Sequence, residues 1–138
     1  MGESFAGRLT AFSIAADGAL TDRRVWGQIA PTVAPGPVAE MLPQMGFAPD
    51  GCCLDAEGHI WVADGLGGPT CRIAPGGEIV EALELPEGLC AFACMLGGAD
   101  GRELLLCSAP DFIEENRKDV REALLFTTTV DVPHGGRP

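Results

Sequence analysis

Short apolar runs, each bounded by turn-forming residues, recur along the chain. Residues 8–26 read as a strand, a DG turn and a second strand, and Gly51–Asp55 faces His59–Asp64 across an EG turn. Within His59–Asp64, the segment IWVA is rich in residues that favour strands. Thr70–Ala74 and Glu78–Leu85 flank a PGG turn in the same way. These patterns predict antiparallel hairpins over much of the chain.

The strand pattern then starts again. Leu89–Leu96, the turn at Gly97–Gly101 and the run Arg102–Ala109 repeat the order of strand, turn and strand that begins at Gly51. The second copy follows the first after about 40 residues, and four short strands in a repeat of that length are typical of a propeller blade. The repeat therefore predicts an all-β chain built from four-stranded antiparallel blades.

A propeller ring needs at least four such blades, or about 160 residues, so this chain is too short to close one. We predict a partial β-propeller, about half of a six-bladed ring, forming a single domain over 1–138. Within it, 8–26 supplies the outer strands of one blade, 50–86 forms one blade and 89–132 forms the last blade.

Two segments interrupt the strand pattern. Five prolines fall within 31–49, which predicts an irregular connection with at most a short helical turn around Val38–Leu42. Residues 111–123, DFIEENRKDVREA, have a helical and highly charged pattern, and we expect a surface excursion there. Leu124–Val132 is again strand-like, so the excursion separates two strands of the last blade.

Composition narrows the range of functions. The 138 residues carry a net charge of −11, and an acidic protein repels phosphate backbones, which argues against a nucleic-acid partner. No apolar run approaches the length of a membrane span, and no secretion signal is evident, so we expect no membrane association. Most of the six cysteines lie in apolar runs, which favours reduced, buried thiols in a cytoplasmic protein.

Three aspartates between Phe47 and Asp64 are the candidate functional groups. Asp55 lies just before a tight EG turn, and we interpret it as a structural residue whose side chain accepts backbone N–H bonds. Asp64 ends a buried strand, where it either bonds loop amides or faces a channel mouth, with the structural interpretation favoured. Judged by its neighbours alone, Asp50 is more simply a turn or capping residue.

A longer set of motifs changes the interpretation of Asp50. The order PDG, CCLDAEGHIWVAD, R-I-x-P-x-G-x-I-V, LP, C-x-F and GG before RELLLCSA resembles the senescence-marker-protein/gluconolactonase (regucalcin-like) family, and so does the closing TTTVDVPHGGRP. The match covers roughly residues 8–138. Members of that family are six-bladed propellers about twice as long as this chain, which resembles their C-terminal half only.

The resemblance implies a metal site and an activity. Family members hold one divalent cation in the central channel and hydrolyse sugar or other lactones, with a Glu, an Asn and the Asp of the PDG motif as metal ligands. That Asp corresponds to Asp50, which would bind the metal and take the proton from an attacking water. The Glu and Asn motifs would lie upstream of Met1. We therefore expect Ca²⁺ or Zn²⁺ as the cofactor, bound weakly or not at all by this chain alone.

Three hypotheses follow from these patterns. The first is a metal-dependent lactonase that acts on a small-molecule lactone and is incomplete in this chain. The alternative is a non-catalytic half-propeller remnant that binds a partner or itself. The third is an unrelated all-β binding module. An open half-propeller exposes sheet edges, so the expected partners are a second copy, as a homo-oligomer, or the missing N-terminal half.

Overall fold

Residues 1–136, which the computed structural model describes, form three antiparallel sheets stacked in chain order. The first sheet has the order β1-β2-β3 and consists of β1 (Gly2–Glu3), β2 (Arg8–Ile14) and β3 (Leu20–Gln28). The second has the order β4-β5-β6-β7 and consists of β4 (Pro49–Leu54), β5 (Ile60–Asp64), β6 (Thr70–Ile73) and β7 (Ile79–Leu83). The third has the order β10-β9-β8 and consists of β8 (Cys90–Gly97), β9 (Glu103–Ala109) and β10 (Leu124–Thr129).

All pairings between these strands are antiparallel, which confirms the all-β prediction. The predicted four-stranded pattern is present in the second sheet, whereas the first and third have three strands each within residues 1–136. After β10 the chain turns back toward the second sheet instead of adding a strand. His134 forms a bridge with Asp55, and the Pro133 carbonyl accepts the Ala56 N–H at 2.8 Å.

The helical content is small. Helix α1 (Val38–Met41) continues into a 3₁₀ turn at Leu42–Gln44, which confirms the helical turn expected in the proline-rich connection. Helix α2 (Glu114–Arg117) is a single turn, much shorter than the helical pattern of 111–123. Isolated helices need about 12 residues or a packed apolar face, and the apolar side chains of this segment remain exposed. No helix within residues 1–136 is both long and apolar enough to cross a membrane.

The middle sheet is buried on both faces, and β5 shows this most clearly. Trp61 and Val62 are consecutive and fully buried, so their side chains enter opposite faces of the sheet. Trp61 packs between the second and third sheets, in a cluster formed by Cys53, Cys94, Leu96, Leu104, Leu106 and Val130. Val62 packs between the first and second sheets, in a cluster formed by Leu9, Ala30, Phe47, Cys71 and Ile73.

Because blades bury both faces, the apolar strand residues Leu54 and Ile79 are predicted to lie in the core, but both lie at the surface. Leu54 is 50% exposed because it is the last residue of β4, where the strand leaves the stack. Ile79 is 48% exposed because it opens β7, the outermost strand of its sheet. Burial on both faces therefore applies to the middle strands and ends at the strand termini and the outer edge.

Candidate active site around Asp50

Asp50 lies at the start of β4, at an irregular point of the sheet. Pro49 pairs with Asp64, but the register shifts before the next pair, Cys52 with Val62. Bulges of this kind re-aim a side chain out of the regular alternation. Pro49 is buried whereas Asp50 is exposed, so the irregular start of β4 presents the carboxylate at the surface.

The Asp50 carboxylate borders an open pocket of about 180 Å³. The walls of this pocket are mainly apolar and come from segments far apart in the sequence: Phe5, Leu42, Met45, Leu66, Phe92 and Phe112. Ser4 also lines it, and its hydroxyl donates a hydrogen bond to the Pro49 carbonyl at 2.8 Å. The pocket thus joins one carboxylate to a largely hydrophobic surface, a combination found in small-molecule sites.

The apolar surroundings affect the charge state of Asp50. Partial burial raises the pKa of this carboxyl, and a hydrogen bond from the Gly51 backbone N–H opposes the rise only in part. No Lys or Arg within residues 1–136 forms an ion pair with Asp50. The Asp50 carboxyl therefore differs from the ion-paired carboxylates of the chain in having burial as the main influence on its pKa.

The residues present do not fit a divalent cation by themselves. Ca²⁺ takes six to eight oxygen ligands, and Zn²⁺ sites use three or four protein side chains. Residues 1–136 contain no group of three or more His, Cys, Asp or Glu side chains arranged to hold a metal ion. Asp50 is therefore a single carboxylate at this pocket and not part of such a group within residues 1–136.

Asp64 is not among the residues that line the pocket, but it holds two residues that are. Its Oδ1 atom accepts the Ala48 backbone N–H at 2.9 Å and the Leu66 N–H at 3.1 Å. This confirms the prediction that Asp64 bonds loop amides. Ala48 and Leu66 both line the pocket, so the buried carboxylate fixes two of its walls. Nothing in the local sequence predicts that Ala48 and Leu66 line the same pocket.

Asp55 is structural, as its position before the turn predicts. Its Oδ1 atom accepts the backbone N–H groups of Glu57 and His59, both at 2.9 Å. Its Oδ2 atom accepts a 2.7 Å hydrogen bond from Arg72 on β6, a partner that sequence reasoning missed. The side chain is fully buried and all its hydrogen bonds are made within the second sheet, so it takes no part in the pocket.

Gly51 explains why the second and third sheets can approach each other beside Asp50. A Cβ atom on this residue would lie 2.6 Å from the Ala93 Cα and 2.9 Å from the Phe92 carbonyl oxygen. Real Cβ atoms do not come that close to backbone, so only glycine fits between β4 and β8. The contact brings Phe92 to the pocket wall next to Asp50.

A family comparison agrees with this arrangement of sheets and residues. The model of the family described as SMP-30/Gluconolactonase/LRE-like region matches residues 1–110, well over half of the chain. The chain therefore belongs to the SMP-30/gluconolactonase family, as the motif order indicated.

Individual relatives are similar over part of their length. Regucalcin of Xenopus laevis is 41% identical over 71 residues, which make up 51% of this chain and 23% of the relative. The 6-deoxy-6-sulfogluconolactonase of Pseudomonas putida is 31% identical over 99 residues, 67% of this chain and 32% of that enzyme. Human regucalcin is 38% identical over 64 residues, 46% of this chain and 21% of the relative. The chain thus spans less than a third of each.

One solved structure has the same arrangement of strands. A luciferin-regenerating enzyme superimposes with a TM-score of 0.66 and 18% sequence identity. The match covers 95% of this chain and 41% of that one. At this identity the likeness concerns the fold, and it extends over nearly all of the present chain.

Proposed function

We propose that this chain is one part of a metal-dependent lactone hydrolase and that Asp50 is the residue it contributes to the active site. The observation that carries the proposal is the Asp50 carboxylate itself, which is exposed, forms no ion pair with any residue in 1–136 and is set at the edge of an apolar pocket. Family membership supports the reaction class, since one relative is a 6-deoxy-6-sulfogluconolactonase. A lactone is a small ring that a pocket of about 180 Å³ can accommodate in part.

In this proposal the three sheets are consecutive blades of a propeller that the chain does not close. Their stacking in chain order, with the middle sheet buried on both faces, supports it. So does the structural neighbour, of which this chain matches 41%. The blades correspond to the segments that include 8–26, 50–86 and 89–132, and the rest of the ring would come from the family's N-terminal half or from another copy.

Asp50 would act as the base of the hydrolysis. Its carboxylate, exposed at the edge of the pocket, would take a proton from a water molecule as that water attacks the lactone carbonyl carbon. The apolar walls would hold the carbon skeleton of the ring and limit access of other water molecules. The divalent cation, Ca²⁺ or Zn²⁺, would need the Glu and Asn ligands that the family resemblance places outside this chain, because Asp50 alone does not make a site.

The proposed partners follow from the same reasoning. A small-molecule lactone is the substrate, and the net charge of −11 disfavours nucleic acid. We infer a cytoplasmic location, which the six free cysteines support.

Hydrolysis of a lactone, followed with a pH indicator, tests the proposal. The 138-residue chain alone should bind Ca²⁺ or Zn²⁺ weakly and show little activity. The chain joined to the N-terminal half of a full-length relative should gain both, and Asp50→Asn in the joined protein should abolish turnover. Glu57→Gln, an exposed carboxylate remote from the pocket, is the matched control and should leave turnover unchanged. Full activity of Asp50→Asn would show that the site lies elsewhere.

The exposed edge of the third sheet favours a second candidate function, self-association without catalysis. Strand β10 pairs with β9 on one side, and its Leu124 and Leu125 are 50% and 71% exposed. An unpaired edge that carries large apolar side chains is a site for pairing with another chain. In this alternative the chain is a half-propeller remnant that forms homo-oligomers.

A further inference from the structure

The side chains of the Asp50 pocket offer few hydrogen bonds to a ligand. Among the described residues that line it, only Asp50 and Ser4 have a nitrogen or oxygen atom in the side chain. The Ser4 hydroxyl already donates its hydrogen to the Pro49 carbonyl, at 2.8 Å. The Asp50 carboxylate is therefore the main polar side-chain group that a bound molecule would meet.

The backbone of the pocket walls is also engaged in hydrogen bonds of its own. The N–H groups of Ala48 and Leu66 both donate to the Asp64 carboxylate, and the Gly65 N–H donates to the Ala48 carbonyl at 3.0 Å. A sugar lactone carries hydroxyl groups on most of its ring carbons, and these groups would exchange water for walls that cannot replace it. Burial of a hydroxyl group without a partner is unfavourable, so the pocket disfavours polyhydroxylated rings.

A second open pocket, of about 530 Å³, adjoins the Asp50 pocket. Phe92 and Phe112 line both pockets. Their rings pack edge to face, with centroids 6.5 Å apart and planes at 81°. We call the second space the excursion pocket, because most of its lining residues, Val120 among them, come from the excursion at 111–123. The two pockets thus share an aromatic wall.

The charged side chains of the excursion pocket are largely paired with one another. The Nε atom of Arg117 lies 3.3 Å from Oδ1 of Asp111, and its Nη1 atom donates to the Glu122 carboxylate. Asp111 also accepts the Ile113 backbone N–H at 2.8 Å. These contacts hold the excursion in place and offset its charges. Arg121 lines the pocket as well but is exposed to solvent, where water and salt screen its charge. The lining therefore favours an uncharged substituent.

Large apolar side chains of the excursion pocket remain uncovered in the chain. Phe112 is 55% exposed and Val120 is 45% exposed. A hydrocarbon group that covers them would leave water together with these side chains, which is favourable in proportion to the apolar area removed from water. A group attached to a ring at Asp50 would reach Val120 by crossing the Phe92–Phe112 wall.

We propose that the Asp50 pocket and the excursion pocket form one ligand site, which selects lactones with an uncharged alkyl or aryl substituent over polyhydroxylated sugar lactones. The ring occupies the Asp50 pocket, and the substituent lies across Phe92 and Phe112 against Val120. This inference rests on the proposed lactone hydrolysis for the reaction and names its substrate class.

Three lactones with the same six-membered ring test the selection. The ¹⁵N-labelled 138-residue chain is titrated with δ-decalactone, which carries a pentyl chain, with unsubstituted δ-valerolactone, and with freshly dissolved glucono-δ-lactone. Dissociation constants come from the shifts of the amide signals. δ-Decalactone should bind about tenfold more tightly than δ-valerolactone and shift the signals of Phe92, Phe112 and Val120. Glucono-δ-lactone should bind more weakly than either.

A substitution confined to the excursion pocket tests where the chain lies. Val120→Ser should weaken δ-decalactone binding by about fivefold and leave δ-valerolactone binding unchanged, because Val120 lines only the excursion pocket. Val80→Ser is the matched control, since Val80 is also 45% exposed but lies on β7, outside both pockets. Equal effects of the two substitutions on δ-decalactone would contradict the assigned position.

Other results would overturn the substrate class. Equal affinities for δ-decalactone and δ-valerolactone, or tighter binding of glucono-δ-lactone than of δ-decalactone, would do so without any substitution. Loss of δ-decalactone binding in the protein joined to an N-terminal half would also overturn it, because that half and not a ligand would then cover these side chains.

The same measurements separate this inference from the proposed function. Hydrolysis of glucono-δ-lactone by the joined protein that depends on Asp50, without selective binding of δ-decalactone, would support the hydrolase and refute the substrate class. Selective binding of δ-decalactone by the 138-residue chain and by the joined protein, with no hydrolysis of any of the three lactones, would refute the hydrolase and support the apolar ligand site.

Discussion

The Nε atom of Arg72 donates a 2.7 Å hydrogen bond to Oδ2 of Asp55, and both residues belong to the second sheet and its turns. Asp55 is in the turn between β4 and β5, and Arg72 lies on β6. The carboxylate is fully buried, and the Arg72 side chain is 12% exposed. One charged pair therefore ties a turn to a strand that is not its neighbour in sequence.

Asp55→Ala should lower the free energy of unfolding by about 3 kcal/mol, because it leaves the Arg72 Nε–H and two turn amides without their buried acceptor. Urea denaturation followed by circular dichroism measures this loss. Glu57→Gln is the control, since Glu57 also binds Arg72 but its side chain is 58% exposed. Its cost should be below about 1 kcal/mol. Equal losses for the two variants would contradict a structural role for the buried pair.

Gly51→Ala should destabilise the protein by about 1–3 kcal/mol, because the added methyl group would overlap the Ala93 backbone and push β4 away from β8. Gly97→Ala provides the comparison, since Gly97 is also in a strand but a Cβ there meets no atom within 4 Å. Thermal unfolding of both variants checks the difference. A Gly51→Ala protein as stable as Gly97→Ala would mean that the two sheets can separate without cost.

Stability should decrease as the pH falls from about 4.5 to about 2, partly because of Glu3. The Glu3 carboxylate accepts hydrogen bonds from Thr10 and from Arg8, at 2.8 Å for the latter, and pairs with Arg23 at 2.6 Å. The hydrogen bonds from Thr10 and Arg8 hold the pKa of Glu3 at about 2, below its ordinary value of 4.5. In this range the unfolded chain binds a proton that the folded chain does not, so acid favours unfolding.

The melting temperature of Glu3→Gln should therefore depend less on pH between 2 and 4.5 than that of the unsubstituted protein. Above this range the unsubstituted protein should be the more stable of the two. Asp111 also has a lowered pKa, caused mainly by the Ile113 backbone N–H, so some acid dependence should remain. Parallel pH curves for the two proteins would show that the Glu3 contacts do not persist in solution.

The exposed edge at β10 should make the protein associate at high micromolar concentration. Light scattering should detect dimers or larger species, and Leu125→Lys should shift the population toward monomer because charge on an edge strand opposes pairing. Ile14→Lys is a matched control, since Ile14 is 76% exposed but lies in the first sheet, away from this edge. A stable monomer in the unsubstituted protein would rule out self-association through β10.

Local patterns were sufficient to predict the hairpins and the role of Asp55. The turn sequence D-A-E-G places a carboxylate two residues before a backbone N–H that it can accept, and no distant residue is needed for that inference. Its second partner could not be predicted, because Arg72 reaches Asp55 only through the register that pairs Trp61 with Arg72. Register depends on packing of the whole sheet and is not encoded in spacing alone.

Contacts between sheets were the other feature that spacing could not reveal. Along β8, Cys90 and Cys94 are four residues apart, whereas Cys53 joins the core cluster of Cys94 from a different sheet. Similarly, β1 has only two residues and becomes recognisable through the pairing of Glu3 with Arg8. The exposed carboxylate of Asp50 was identified by motif resemblance, while its apolar pocket required the folded arrangement of five separate segments.

The crowding at Gly51 bears on how the PDG motif should be used as a marker of activity. We expect Gly51 to be retained even in relatives without hydrolase activity, because β8 leaves no room for a larger residue at this position. The fold does not require Asp50 in the same way, because its side chain is exposed and its loss would not disturb the packing of the sheets. Under the proposed role of Asp50, a family member that keeps this glycine after a different residue would have the scaffold without the proposed base.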